Sequence, residues 1–159
     1  MSSVLLEQLI REVPSLRSRV EDLETAEIML SQGTWTASMT CTTSGTISLA
    51  GNNTGAYTKI GRMVTVTGRF EVDGVNSPVG EARLNGLPFT CADGDQFYAG
   101  CSIYAQVLNS SAVTQMMAFV RKNTSHIAIY RFAAGTAAAA AGDFKAGSSF
   151  IISATYFTT

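Results

Sequence analysis

The chain has 159 residues, of which 46% are hydrophobic and only 14% charged, with a formal net charge of −1. That balance leaves no basic field to draw in nucleic acid or an anionic membrane, and no apolar run approaches the roughly 20 residues of a membrane-spanning helix. Charge this sparse, against about 25% in typical globular chains, predicts that other subunits cover part of the surface.

At the N-terminus, Glu7 interrupts the apolar start and no basic segment precedes it, so the pattern of a secretory signal is absent and synthesis in the cytosol is expected. Leu6, Leu9, Val13, Leu16, Val20, Leu23 and Leu30 follow the alternating three- and four-residue steps of a coiled-coil seam, with Glu27 at the missing step. Leu6, Val13, Val20 and Glu27 take position a; Leu9, Leu16, Leu23 and Leu30 take position d. Pro14 removes one hydrogen bond and crowds the preceding turn, so the helix either kinks at Val13-Pro14 or begins there. The pattern predicts a regular coil from about residue 14 to 28, with a less regular helical segment before it. Val at a with Leu at d slightly favours two strands. Against that, Arg19-Val20-Glu21-Asp22-Leu23-Glu24 resembles the R-h-x-x-h-E pattern of trimeric coils. There the arginine reaches a neighbouring chain's glutamate while its stem covers the seam. A homotrimer is expected, held by Leu9, Val13, Leu16, Arg19, Val20, Leu23 and Glu24.

Near Ser31-Gln32-Gly33 the composition shifts to Thr, Ser, Gly and Ala, which divides the chain into a helical stalk, 1–32, and a β domain, 33–159. Val64, Val66, Phe70 and Val72 alternate with Thr65, Thr67, Arg69 and Glu71, and Gly68 interrupts the inward row where a bend or a neighbouring backbone would sit. Other strands are expected over 47–49, 81–84, 97–108, 113–122, 127–132 and 149–157. Turn signals separate them at Gly51-Asn52-Asn53, Asp73-Gly74, Asp93-Gly94-Asp95, Asn109-Ser110-Ser111 and Lys122-Asn123-Thr124-Ser125. The expected fold is mainly β: an antiparallel, jelly-roll-like sandwich behind a short coiled coil. Met116-Met117-Ala118-Phe119-Val120 is apolar on both faces, one for the core and one for a subunit contact. Residues 133–142 read as a compact loop or single turn. Trp35 is expected to pack at the junction with the coil. Cys41, Cys91 and Cys101 cannot all pair and read as buried thiols.

Several stretches form a pattern together: Gly33-Thr34-Trp35-Thr36; Thr54-Gly55-Ala56-Tyr57-Thr58-Lys59-Ile60-Gly61-Arg62-Met63-Val64, leading into the strand with Gly68; Gly86-Leu87-Pro88-Phe89; Ala146-Gly147-Ser148-Ser149-Phe150; and the closing Tyr156-Phe157. Their order resembles the C-terminal domain of tail fibres and tailspikes of tailed bacteriophages, over about residues 33–159. Physically these are scaffold positions: Tyr57 and Ile60 read as core residues at the start of a strand, Gly61 as the turn and Pro88 as the end of pairing. The resemblance implies a trimeric tip of a fibre carried on the virion and joined to the rest of the tail. Such a tip binds a host surface receptor, a capsule or lipopolysaccharide glycan, during adsorption. A trimerisation cap without its own ligand is the alternative, and a polysaccharide depolymerase a further one.

Chemistry has little support in the sequence. His126 is the only histidine and is expected at an exposed strand start. No nucleophile-elbow motif accompanies it. The acids Glu71, Asp73, Glu81, Asp93, Asp95 and Asp143 sit mostly in turn contexts, so a non-enzymatic role is expected. Asp93-Gly94-Asp95 supplies two carboxylates, short of the about six to eight oxygens calcium takes, so it reads as a turn. No metal or cofactor is expected. For a glycan, an aromatic plane with polar neighbours is the natural site. Tyr98 with Asp95 and Gln96 forms one candidate patch, and His126, Tyr130 and Arg131 a second; Trp35 and Tyr104 are the other aromatic candidates.

Overall fold

The computed structural model describes residues 2–109, 115–133 and 135–159. The chain divides into two units, residues 1–31 and 32–159.

The first unit is one helix, α1 (Ser2–Met29), which runs through Pro14. The expected start near Pro14 is therefore corrected. Proline's fixed φ is itself helical, so its loss is confined to one hydrogen bond, to Ile10, and some crowding. The good helix formers on both sides carry the helix across that defect. The residues of the expected seam, Leu6, Leu9, Val13, Leu16, Val20 and Leu23, are 51–69% exposed in the single chain. The expected seam position of Glu27 lies outside the described side chains.

The strands are β1 (Leu30–Thr36), β2 (Ser38–Cys41), β3 (Ser44–Leu49), β4 (Thr54–Ile60), β5 (Met63–Val79), β6 (Ala82–Asn85), β7 (Ala99–Gln106), β8 (Gln115–Val120), β9 (His126–Ala133), β10 (Thr136–Ala139) and β11 (Ser149–Phe157). They follow the order β1-β4-β5-β11-β7-β8-β9-β6-β2, with β3 on β5 and β10 on β9. The result is a nearly closed, barrel-like antiparallel sheet. The long strand β5 makes this possible. Its first half pairs with β4 and β11 and its second half with β3, and β3 lies beside β2 at the other end of the strand order.

The interior follows the alternation of the sequence. Val64, Val66, Phe70 and Val72 are buried, with Leu84, Ile127, Ile129, Phe150, Ile152 and Tyr156 around them. Gly68 stands in the inward row because Phe70 needs the space. A Cβ there would lie 2.6 Å from Phe70 Cε2. Tyr156 is sealed in the core, where its hydroxyl donates to the Phe89 carbonyl oxygen at 2.9 Å. Burial pushes that phenol up to about 12.

Several expectations change. Trp35 packs inside the β unit, edge-on to Phe70 at 5.5 Å, because β1 joins the sheet and turns the indole inward. Ile60 is exposed, not a core residue: it shares the outward parity of Ala56 and Thr58. Asp73-Gly74 is no turn, since β5 continues to Val79 and pairs Ser48 with Gly74. Residues 136–139 form β10 on the edge of β9. Four residues are too few to sustain a helix, and pairing satisfies their backbone groups. β1 and β2 were not expected as strands. Of the three free thiols, Cys91 is buried and Cys41 and Cys101 are only half-buried. Val113, Ser110 and Ser111 lie outside the described residues.

Candidate functional site

In an antiparallel sheet, directly paired residues share a face. The β8–β9 hairpin pairs Phe119 with Ala128, and β6 pairs Arg83 with the same Ala128 from the other side. Phe119, Ala128 and Arg83 therefore form one row on the outside of the barrel. Met117 and Tyr130 form the next row, and His126 and Asn85 the row on the other side. Ala128 leaves room for its larger neighbours to close over it.

Three aromatic rings join across this surface. Phe119 and Tyr130 are stacked, with centroids 5.7 Å apart and planes 14° from parallel. Tyr98, just before β7, lies 6.2 Å from Phe119 and is 48% exposed. The Arg121 guanidinium lies 5.3 Å from the Phe119 centroid, within reach of the ring's negative face.

A carboxylate fixes the polar side of the stack. Glu81 Oε1 accepts from Arg83 Nε at 2.7 Å, and Oε2 accepts from Arg121 Nη2 at 2.6 Å. The Tyr130 hydroxyl also donates to Glu81 Oε2 and accepts from Arg121 Nη2 at 2.6 Å. Burial alone would raise the Glu81 carboxyl. The hydrogen bonds from Tyr130 and Arg83 and the charges of Arg121 and Arg83 outweigh it and hold the group below its ordinary value. Two guanidinium groups face one carboxylate, so the cluster carries one excess positive charge. Arg83 and Arg121 keep further N–H groups with no partner among the described residues.

His126 belongs to the same surface, but it is half-buried, which corrects the expected exposed position. Its Nε2 is buried with no hydrogen-bond partner among the described residues. Burial, then the nearby Arg83, lowers its proton affinity, so at neutral pH the ring is uncharged.

The sequence-derived patches are partly joined and partly split. Tyr98 and Tyr130 come together through Phe119. Asp95 is exposed and bound to Lys122 Nζ at 2.6 Å; the Lys122 hydrogen bond and charge hold its carboxyl low. Gln96 lies beside it in the short 3-10 turn Asp95–Phe97. Asp93 Oδ1 accepts from the Gly94 amide at 3.0 Å, a local turn contact. Arg131 is separated from Tyr130, because adjacent residues of a strand face opposite ways. It pairs at 2.9 Å with the buried Asp143. Tyr104 stands on another part of the outer surface, on β7.

No protein-family model matches the sequence, and no curated protein matches it. A solved structure does match: the crystal structure of the Dettilon tailspike protein, with a TM-score of 0.69 and 24% identity over 80% of this chain. The chain shares its fold with part of a tailspike. The match takes in 24% of that structure's chain, so this chain spans about a quarter of its length.

On this tailspike-like fold, Phe119, Arg121, Arg83 and Glu81 complete the surface, and none was picked out as a binding residue from sequence. Phe119 and Arg121 carried a signal. The turn at 122–125 joins two apolar strands, and pairing Val120 with Ile127 brings Phe119 diagonally against Tyr130. Arg83 on β6 and Glu81 just before it lie far away in sequence, and no local pattern gives that register.

Proposed function

We propose that this chain is the trimeric, jelly-roll-like tip of a bacteriophage tail fibre or tailspike. It is made in the host cytosol, carried on the virion, and binds a host surface glycan of the capsule or lipopolysaccharide during adsorption. The observation that supports this most is the fold shared with a tailspike over most of the chain. The aromatic surface supplies the contact. The stacked Phe119–Tyr130 pair and the tilted, half-exposed Tyr98 beside it offer apolar surface to the C–H side of a sugar ring, and Arg83 and Arg121 offer directed donors to its oxygens. Glu81 acts as the positioning residue of both arginines, and the chain acts by binding, without catalysis. The coiled-coil seam of α1 supplies trimerisation, since an exposed a/d stripe is stable in water only against copies of itself.

Binding of the full chain to purified capsule and lipopolysaccharide fractions of the host tests this. Saturable binding is expected, with Phe119→Ala weakening it by at least about tenfold while the fold persists. Unchanged binding in that variant would show that the aromatic surface is not the receptor site. Released reducing ends would instead mark a depolymerase. A cap without ligand is the second reading; an assembled chain that binds no glycan, and whose assembly is lost when residues 33–159 are deleted, would favour it.

A further inference from the structure

One outward row crosses five strands of the aromatic surface. Thr40 pairs with Arg83, Arg83 and Phe119 each pair with Ala128, and Gly100 pairs with Phe119. The two large members, Arg83 and Phe119, stand on either side of Ala128. Beyond Phe119 the surface is open, because a Cβ on Gly100 would meet nothing within 4 Å. Room for a sugar beside Phe119 therefore exists on the Gly100 side, and the Arg121 guanidinium lies 5.3 Å from the centre of the same ring.

Charge is layered at the arginine end. The Glu81 side chain is only 9% exposed, while those of Arg83 and Arg121 are 36% and 29% exposed. The carboxylate lies beneath and the guanidinium groups above it, so a molecule arriving from solvent meets donors and not the acid. Glu81 offsets one of the two positive charges, and the second stays uncompensated. The flanking outward positions Ser38, Asn85, His126, Met117 and Tyr130 add no carboxylate. Asp93 and Asp95 lie around Lys122, towards Tyr98.

An uncompensated guanidinium, partly withdrawn from water, favours an anion over a neutral hydroxyl. A hydrogen bond to a charged acceptor is shorter and about twice as strong as one between neutral groups. Glu81 already orders both arginines, so little further freedom is lost when a ligand binds them. We infer that the glycan taken at this surface is acidic, and that its oxyanion, a carboxylate or a phosphate ester, is held by Arg83 and Arg121 while the sugar rests against the aromatic side chains. The inference rests on the proposed glycan-binding role of this surface and names the class of sugar it takes.

Titration of the full chain with purified capsule and lipopolysaccharide fractions of the host tests this, each fraction used untreated, carboxyl-reduced and dephosphorylated. One of the two treatments is expected to weaken binding by at least about tenfold. Which one does so identifies the source of the anion: carboxyl reduction an acid sugar, dephosphorylation a sugar phosphate. Arg83→Gln is expected to bind treated and untreated glycan alike, with circular dichroism of the β unit unchanged. His126, the only histidine, reports the place of the anion in the unaltered chain. Burial, then Arg83, depresses its titration, with Arg121 adding to this and Glu81 opposing it. An anion beside the arginines is expected to raise the midpoint of its ring resonances, whereas a neutral sugar, adding only burial, would lower it. Binding that survives both treatments, or anion-dependent binding that leaves His126 unmoved, overturns this inference and leaves the proposed glycan binding standing. A chain that binds none of the untreated fractions overturns both.

Discussion

Gly68 shows how tightly single positions are set. Phe70 is fully buried and flanked by Trp35 and Phe150, so its ring cannot retreat from a new methyl group. Gly68→Ala is expected to destabilise the β unit by about 1–3 kcal/mol, read from denaturant midpoints; an unchanged midpoint would mean that the ring moves freely. Glu81 and His126 set the response to acid. Glu81 has a folded-state affinity below its ordinary 4.5, so its stabilisation is present above that value and is lost as pH falls through the folded one. His126 is also depressed, from 6.5. Below that pH the unfolded chain takes up a proton that the folded chain resists, and stability falls until the folded state protonates too. Melting temperature is therefore expected to drop in two stages on acidification, and His126→Asn should remove the earlier one. A single late drop in both proteins would contradict the assignment.

At the scale of elements, α1 carries its defect at one residue. Pro14→Ala restores the amide that Ile10 lacks and is expected to stabilise the helical unit by up to about 3 kcal/mol, seen as increased helicity at elevated temperature. No gain would indicate that the helix is broken at that point in solution. The helical character of α1 was legible because its apolar three- and four-residue steps are local, and so was the inward row Val64 to Val72. β11 was legible too, with both ends at the expected residues, since Ser149 to Phe157 alternates cleanly. β1, β2 and β10 were not. Their polar or small side chains carry no strong alternation, and they are strands because neighbours in the sheet accept their backbone groups. The same limit governed the site. Tyr98 and Tyr130 were visible as aromatics beside turns. Arg131 was misplaced because proximity in sequence puts strand neighbours on opposite faces. Arg83 and Glu81 needed the β6–β9 register, which local pattern does not carry.

For the whole molecule, the proposed reading divides the work between the two units: the helix as a seam for copies of the chain, the β unit as the bearer of the aromatic surface on β8 and β9, beside the Glu81 ion pairs. On that reading, copies would multiply weak sugar contacts, since linked sites bind with an effective concentration on the order of millimolar. Leu16→Asp places a charge in the seam and is expected to weaken apparent glycan affinity by about 10²-fold or more through lost multivalency, while the β unit keeps its fold. Equal affinity of the assembled and dissociated forms would rule out that coupling. The central claim, that this chain recognises the host surface, is tested most directly by adsorption competition. Host cells are preincubated with the full chain and the attachment of the phage that carries it is counted. A concentration-dependent fall in attachment is expected, with Phe119→Ala competing only weakly. Undiminished attachment at saturating protein would contradict the account.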